Sequence, residues 1–199
     1  MFPLPQLFTA GEGPQVVQQQ LLKNGAAQKA ALSVYRSMKR NGKSSRSPDC
    51  RINDKPMDGA DFVKGRNSDI DIVIVDSTDI VGFAKSLFTD TFFSSIKNCL
   101  TENGLFVTLS ESLHFHKDIV IGVQETMKSV FPTVDLYTAP IATYGGNWWT
   151  FSVGSMKPDP REILRTETIE TKYYCSDIHK NSFLPKEMYA KLMAGKIVW

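Results

Sequence analysis

The stretch DIVIVDSTDIVGFAKSLF, Asp71 to Phe88, decides the fold class. Its opening half is an apolar run too short for a helix and rich in β-branched residues, which reads as a buried strand over Ile70 to Val75. The strand delivers two carboxylates, Asp76 and Asp79, at the point where it stops. In an open α/β sheet the carboxyl ends of the strands face the ligand crevice, so acids placed there face substrate rather than core. The competing reading is that Asp76 or Ser77 caps a following helix.

Working outward, Arg51 to Asp54 reads as a short extended piece and Gly59 to Lys64 as a helix. Ser86 to Leu100 places Phe88, Phe92, Ile96 and Leu100 four apart, on one face of an amphipathic helix that ends at Asn103-Gly104. Leu105 to Leu109 follows as the next strand. Lys117 to Val130 repeats the helical pattern through Ile119, Val120, Val123, Met127 and Val130, and Phe131-Pro132 stops it. Val134 to Ala139 and Trp148 to Val153 read as two late strands around the turn Tyr144-Gly145-Gly146-Asn147. With no helix between them, they are expected to pair antiparallel. The remainder, Lys157 to Trp199, reads as loops with one or two short helices over the sheet. Strand–helix alternation of this kind is an α/β signature.

The segment before this pattern differs in character. Gln15 to Arg40 has helix-forming content interrupted at Asn24-Gly25, giving two short helices, and Asn41 to Pro48 (NGKSSRSP) is a loop. Gly13 to Pro48 carries no acid but seven bases: Lys23, Lys29, Arg36, Lys39, Arg40, Lys43 and Arg46. A solvated helix face with a basic loop explains this more simply than an anionic partner. Two regions are therefore expected: a helical, basic segment over 1–49 and an α/β domain over 50–199.

At 199 residues, 42% hydrophobic and 22% charged, the chain can build one substantial core. Its apolar runs fall far short of the roughly 20 residues of a membrane span, and Met1 to Ala10 lacks the basic start of a secretory signal. A cytoplasmic protein with no membrane association is expected. The net charge of +2 does not by itself imply nucleic acid. Cys50, Cys99 and Cys175 lie too far apart for metal-ligand spacing, and three make no even disulfide framework.

Two carboxylates three residues apart at a strand end suit an amine. A primary amine titrates near ~10.4, so presenting it neutral at pH 7 costs on the order of 4 to 5 kcal/mol. One carboxylate can take that proton as general base while its neighbour fixes the geometry. A divalent metal held by Asp76, Asp79, Ser77 and Thr78 is the alternative, weakened because no third acid lies close in sequence. Leu109 to His116 (LSESLHFH) brings Glu111, His114 and His116 just past the next strand, on the same rim. A His-x-His pair without a third ligand reads as helix-start or packing residues rather than as a metal site. Tyr144, Trp148 and Trp149 are either core aromatics beside a tight turn or an aromatic wall over a methylene chain.

Taken in order and spacing, VDSTDIVGFAKSLF, LSESLHFH, IATYGGNWWTF and KYYCSDIH resemble the spermidine synthase family of aminopropyltransferases, from about Cys50 to Pro185. The resemblance implies a Rossmann-like, methyltransferase-type sheet with helices on both faces and a late antiparallel strand pair. It also implies transfer of an aminopropyl group from decarboxylated S-adenosylmethionine to putrescine or a similar amine, giving spermidine and methylthioadenosine. No cofactor beyond that co-substrate and no metal is implied. The partners would be the amine, the adenosyl donor and further copies of the chain in a dimer or tetramer. By motif, Asp76 matches the acid that takes the amine proton and Asp79 the second acid of its loop. Tyr144 matches the tyrosine of the amine channel and Trp149 part of its apolar wall, with Glu111 a further substrate contact. Met57-Asp58-Gly59-Ala60 matches a GDGA-like segment, which makes Asp58, Gly59 and Ala60 the nucleoside-side candidates.

The chain departs from the family pattern in several places. A glycine-rich GGGDGG-like turn on a first strand is not found before Asp58, and Gly11 to Pro14 (GEGP) does not replace it. The family's DPVGPA is Asp79 to Ala84 (DIVGFA), a frequent glutamine is Leu109, and its PSG turn is Gly145-Gly146-Asn147. The catalytic sheet is thus expected to be incomplete at its N-terminal side, leaving the Ile70 to Val75 strand without a neighbour on one side, an edge that invites dimerisation or aggregation unless the N-terminal helices cover it. The alternative to an active transferase is an inactive relative that binds or regulates a complete subunit.

Overall fold

The computed structural model describes residues 31–35, 58–77, 86–141, 148–164 and 173–197. Strand β1 is Ala31–Tyr35, helix α1 Gly59–Val63 and strand β2 Ile70–Asp76. Helix α2 is Asp90–Cys99, followed directly by β3, Leu100–Ser112, then α3, Lys117–Val130. The sheet finishes with β4, Thr133–Pro140, and β5, Trp148–Ser155, before α4, Ser176–Ser182, and α5, Lys186–Met193. Among the described residues no helix is long and apolar enough to cross a membrane.

Among the described residues, five strands lie in the order β1-β2-β3-β5-β4. β2 and β3 are parallel, with Val73 opposite Phe106 and Val75 opposite Thr108. β5 enters between β3 and β4, antiparallel to both, as expected of the two late strands. β2, β3 and β4 therefore all run one way. Their carboxyl ends, Asp76, Ser112 and Pro140, share one rim with Trp148 at the start of β5.

Three expectations are corrected. Ala31–Tyr35 is a strand rather than part of a helix, antiparallel to β2 with Leu32 opposite Val75. An open β2 edge recruits the β-prone ALSVY segment, and ladder hydrogen bonds outweigh weak helix propensity. That edge is thus covered by a strand. β3 begins at Leu100 rather than Leu105, because α2 ends at Cys99 and Leu100 already pairs with Ile70; between that pair and Ile72–Leu105, β3 spends five residues against two of β2, so Asn103-Gly104 falls in a register irregularity inside the strand. α2 starts at Asp90 after a tight turn over 86–88, since Thr89 caps it by accepting the Phe92 amide at 3.2 Å. The extended piece at Arg51 to Asp54, the acid-free segment apart from 31–35, and Cys50 lie outside the described residues.

The core lies between the sheet and its helices. Val63 of α1, Phe92, Phe93 and Ile96 of α2, and Val123 and Met127 of α3 close over Val73, Val75 and Phe106. Phe106 sits 5.3 Å from the ring of Phe93 and 5.6 Å from that of Phe131. Val120, on the same helical stripe of α3, joins Leu113, Leu136, Leu184 and Leu192 in a second cluster under α5. On the opposite face of the sheet, Phe183 meets Leu105 and Val153. Residues after α4 run along the outer edge of β4, where the Leu184 amide donates to the Leu136 carbonyl at 3.0 Å. Arg161 fastens this segment with a two-pronged pair to Asp135 and a 2.8 Å bond to the Leu184 carbonyl. Cys99 and Cys175 are free thiols, and burial pushes Cys99 up to about 11.

Gly154 lies opposite Phe106, and a Cβ there would sit 2.8 Å from the Phe131 ring. Gly154→Ala is expected to destabilise the protein by about 1–3 kcal/mol through overpacking, because both rings are locked by the cluster. Urea unfolding checks this, and an unchanged midpoint would mean that Phe131 yields freely.

Candidate active site

The rim is built by three strand ends. β2 places Asp76 as its last residue because the apolar alternation of Val73 and Val75 runs out there and the next residue, Ser77, is buried. The Asp76 side chain reaches solvent, yet the protein around it desolvates its carboxyl and raises it above the ordinary carboxylate range. A carboxylate so disposed is a stronger base than one in water. Asp79 and Tyr144 lie outside the described residues, as do Thr78 and the turn 145–147.

Glu111 stands two residues beyond the position opposite Asp76, about 6 Å further along the strand direction. It is 2% exposed and has φ of 74°, the left-handed region that a residue with a side chain seldom enters. A bulge causes this: between Leu109 and Ser112, β3 spends one residue more than β5 does between Phe151 and Trp149. The Glu111 Oε2 lies 3.5 Å from His116 Nδ1, an ion pair whenever that imidazole is protonated. His116 is also the residue that opens α3, in line with the helix-start reading of the His-x-His pair.

His114 lies flat against Trp148, with ring centroids 6.1 Å apart and 23° between the planes. Trp148 is 40% and Phe115 71% exposed, whereas Trp149 is 6% exposed. The rim thus carries Trp148, His114 and Phe115 outward and Trp149 inward, opposite Ser112. Among the described residues no group of three or more His, Cys, Asp or Glu could hold a metal.

On the other candidate segment, Asp58 is the N-cap of α1 and accepts the Ala60 amide at 2.8 Å. Gly59 is buried and Ala60 packs on the core cluster, so this segment is anchored while the Asp58 side chain stays exposed. The structure does not bring Asp58 into contact with Asp76.

One group of polar residues escapes a reading of the sequence. Gln124, fully buried on the core side of α3, donates through Nε2 to Ser152 Oγ at 2.6 Å and to the Asp135 carbonyl at 3.3 Å. It accepts from the Tyr189 hydroxyl at 2.6 Å. Burial first, then the charge of Asp135, holds that phenol up to about 12, so it remains a donor. The available signal is a glutamine between Val120 and Met127 on an otherwise apolar stripe.

A family model described as the spermine/spermidine synthase domain matches residues 29–163. A polyamine aminopropyltransferase of Hydrogenobaculum sp. (strain Y04AAS1) is 49% identical over 138 residues, 69% of this chain and 49% of that relative. Polyamine aminopropyltransferase 1 of Aquifex aeolicus (strain VF5) is 44% identical over 139 residues, 70% of this chain and 50% of that relative. The chain spans about half the length of the curated relatives it matches. Among solved structures, a spermidine synthase in complex with the transition state analogue AdoDATO superposes with a TM-score of 0.59 at 26% identity, over 68% of this chain and 48% of that one. The spermidine synthase from Thermotoga maritima gives 0.58 at 24% identity, over 69% and 48% of the two chains, and supports the fold. The sheet is of the Rossmann-like, methyltransferase type.

Proposed function

The chain belongs to the spermine/spermidine synthase family, and from that premise we propose that it is an aminopropyltransferase domain whose general base is Asp76. The single observation that supports this reading best is a base-strengthened carboxylate at the carboxyl end of β2, on the rim that also carries the end of β3 and the start of β5. The amine nitrogen attacks the carbon beside the sulfonium of decarboxylated S-adenosylmethionine. Its proton passes to Asp76, the carbon–sulfur bond breaks, and the electron pair stays on sulfur as neutral methylthioadenosine leaves. Since the leaving group is neutral, the enzyme mainly orients the two substrates and accepts one proton.

By motif, Asp79 would hold the amine beside Asp76, while Tyr144 and Trp149 would line the channel for its methylene chain. Glu111 would supply a second negative charge for the far ammonium of putrescine or a similar amine. Asp58, Gly59 and Ala60 would meet the nucleoside, the Asp58 carboxylate accepting from the adenine amino group. Assembly into a dimer or tetramer and a cytoplasmic setting belong to the same reading.

Calorimetric titration of the chain with methylthioadenosine, followed by putrescine, tests it. Both are expected to bind one per chain. Asp58→Ser keeps an N-cap of equal quality, so its melting temperature should hold while nucleoside affinity falls about tenfold, or ~1.4 kcal/mol. A well-folded protein that binds neither ligand would sink the transferase reading in favour of an inactive relative that serves a complete subunit.

A further inference from the structure

Glu111 takes its left-handed conformation inside the β3 bulge, where the register with β5 shifts, and side-chain hydrogen bonds gather around it. The Ser152 amide donates to Ser110 Oγ at 3.1 Å. The Thr150 hydroxyl donates to the Glu111 carbonyl at 2.8 Å. Ser152 Oγ accepts from Gln124 and lies 2.5 Å from Ser110 Oγ, where either hydroxyl can donate; the arrangement that gives each hydroxyl an acceptor has Ser152 donate to Ser110. Ser110 Oγ in turn donates to the Thr108 carbonyl at 3.3 Å. Every donor in the series therefore has an assigned acceptor, in one direction: Tyr189, Gln124, Ser152, Ser110, Thr108. All members except Tyr189 are buried to 0% exposure.

We propose that this directional hydrogen-bond chain, with Thr150, is a positioning device that locks the β3 bulge and so sets the Glu111 carboxylate against the rim. A bulge shifts the strand register by one residue, and a one-residue slip turns every later side chain to the other face. Relaxation to a regular ladder would carry Glu111 out of its place beside His116. A fully satisfied polar chain is rigid where an apolar one would slide, which suits a residue that must hold an energetically unfavourable backbone angle. Gln124, Ser110, Ser152 and Thr150 act through Glu111 and need touch no ligand. The consequence for amine binding rests on the reading given above; the conformational role does not.

The test uses the isotope-labelled full chain and the isosteric variant Thr150→Val, with Ser152→Ala as a second break and Thr150→Ser as the conservative control. Backbone and Cβ chemical shifts of Glu111 report the sign of its φ. In Thr150→Val and Ser152→Ala these shifts are expected to move to extended values while those of Met127 and Leu136 stay, and Thr150→Ser should retain the wild-type pattern. Putrescine affinity by calorimetry should fall about tenfold in the first two and recover in the third. Unchanged Glu111 shifts in both broken variants would overturn the device. Moved shifts with full amine affinity would bear out the conformational lock and overturn its consequence for amine binding. If the wild-type chain binds no putrescine, the amine reading fails and the Glu111 shifts alone decide the inference. Should one break prevent folding, the other carries the comparison.

Discussion

Asp76→Asn is expected to lower turnover of putrescine, followed as methylthioadenosine release, by about 10²–10⁴-fold, the usual contribution of a general base. Asparagine keeps the shape of the side chain and can still hydrogen-bond the amine, so substrate affinity should change far less than turnover. The same variant has a second, independent signature. The carboxyl of Asp76 is raised in the folded state by desolvation, so ionising it disfavours the fold. Its contribution to stability is highest at low pH and declines as pH rises from the unfolded value towards the raised folded value. Asp76→Asn should therefore melt higher than wild type at pH 7 and equal to it near pH ~3, where both states carry the proton. The gain is small because the side chain reaches solvent. Retained turnover would defeat the proposed chemistry, and a lower melting temperature at pH 7 would show Asp76 to be a structural cap instead.

Phe106→Ala is expected to produce the largest loss of stability of any single change considered, about 3–5 kcal/mol, or roughly 10 °C in melting temperature. Phe106 has no exposed surface, belongs to the strand bonded on both sides, and touches the rings of Phe93 and Phe131. Neighbours held by the same cluster cannot collapse into the space it leaves. Phe115→Ala, at a ring 71% exposed, should stay within about 0.5 kcal/mol of wild type. Thermal and urea denaturation read both changes. A small effect at Phe106 would mean that the core is more plastic than its ring contacts indicate.

Much of this architecture is legible in the sequence, and the misses have physical causes. The β-branched run before Asp76 marks β2, the spacing from Val120 to Met127 marks α3, and Pro132 marks its end. The late antiparallel pair follows from the shortness of its connection. Leu100 is missed because its pairing with Ile70 is a long-range contact, while the turn chemistry of Asn103-Gly104 matches a register irregularity inside β3 rather than the end of the helix. Ala31–Tyr35 misleads because its short-range preferences are weak and its structure comes from the open edge of β2. The rim position of Asp76 and Glu111 can be read from where the strands end. The left-handed angle of Glu111 cannot, since no glycine or asparagine announces it and the bulge exists only against β5. Trp148 and Trp149 show the same limit. Alternation says that one faces inward, and only the register with Ser112 says which.

The strand that enters the sheet last in sequence occupies a middle place in it. β4 makes no ladder with β3; β5 separates them and bonds to both. During synthesis, β2, α2, β3 and α3 can come together as soon as they emerge from the ribosome, but one flank of β3, including the apolar run Leu105 to Leu109, stays bare until Ser155 has been added. A nascent chain halted between Val130 and Trp148 would expose an unpaired apolar edge to its neighbours on the polysome. The hairpin of β4 and β5, whose pairing is local, is the element that closes this window, so the speed at which it docks governs how long that edge stays bare.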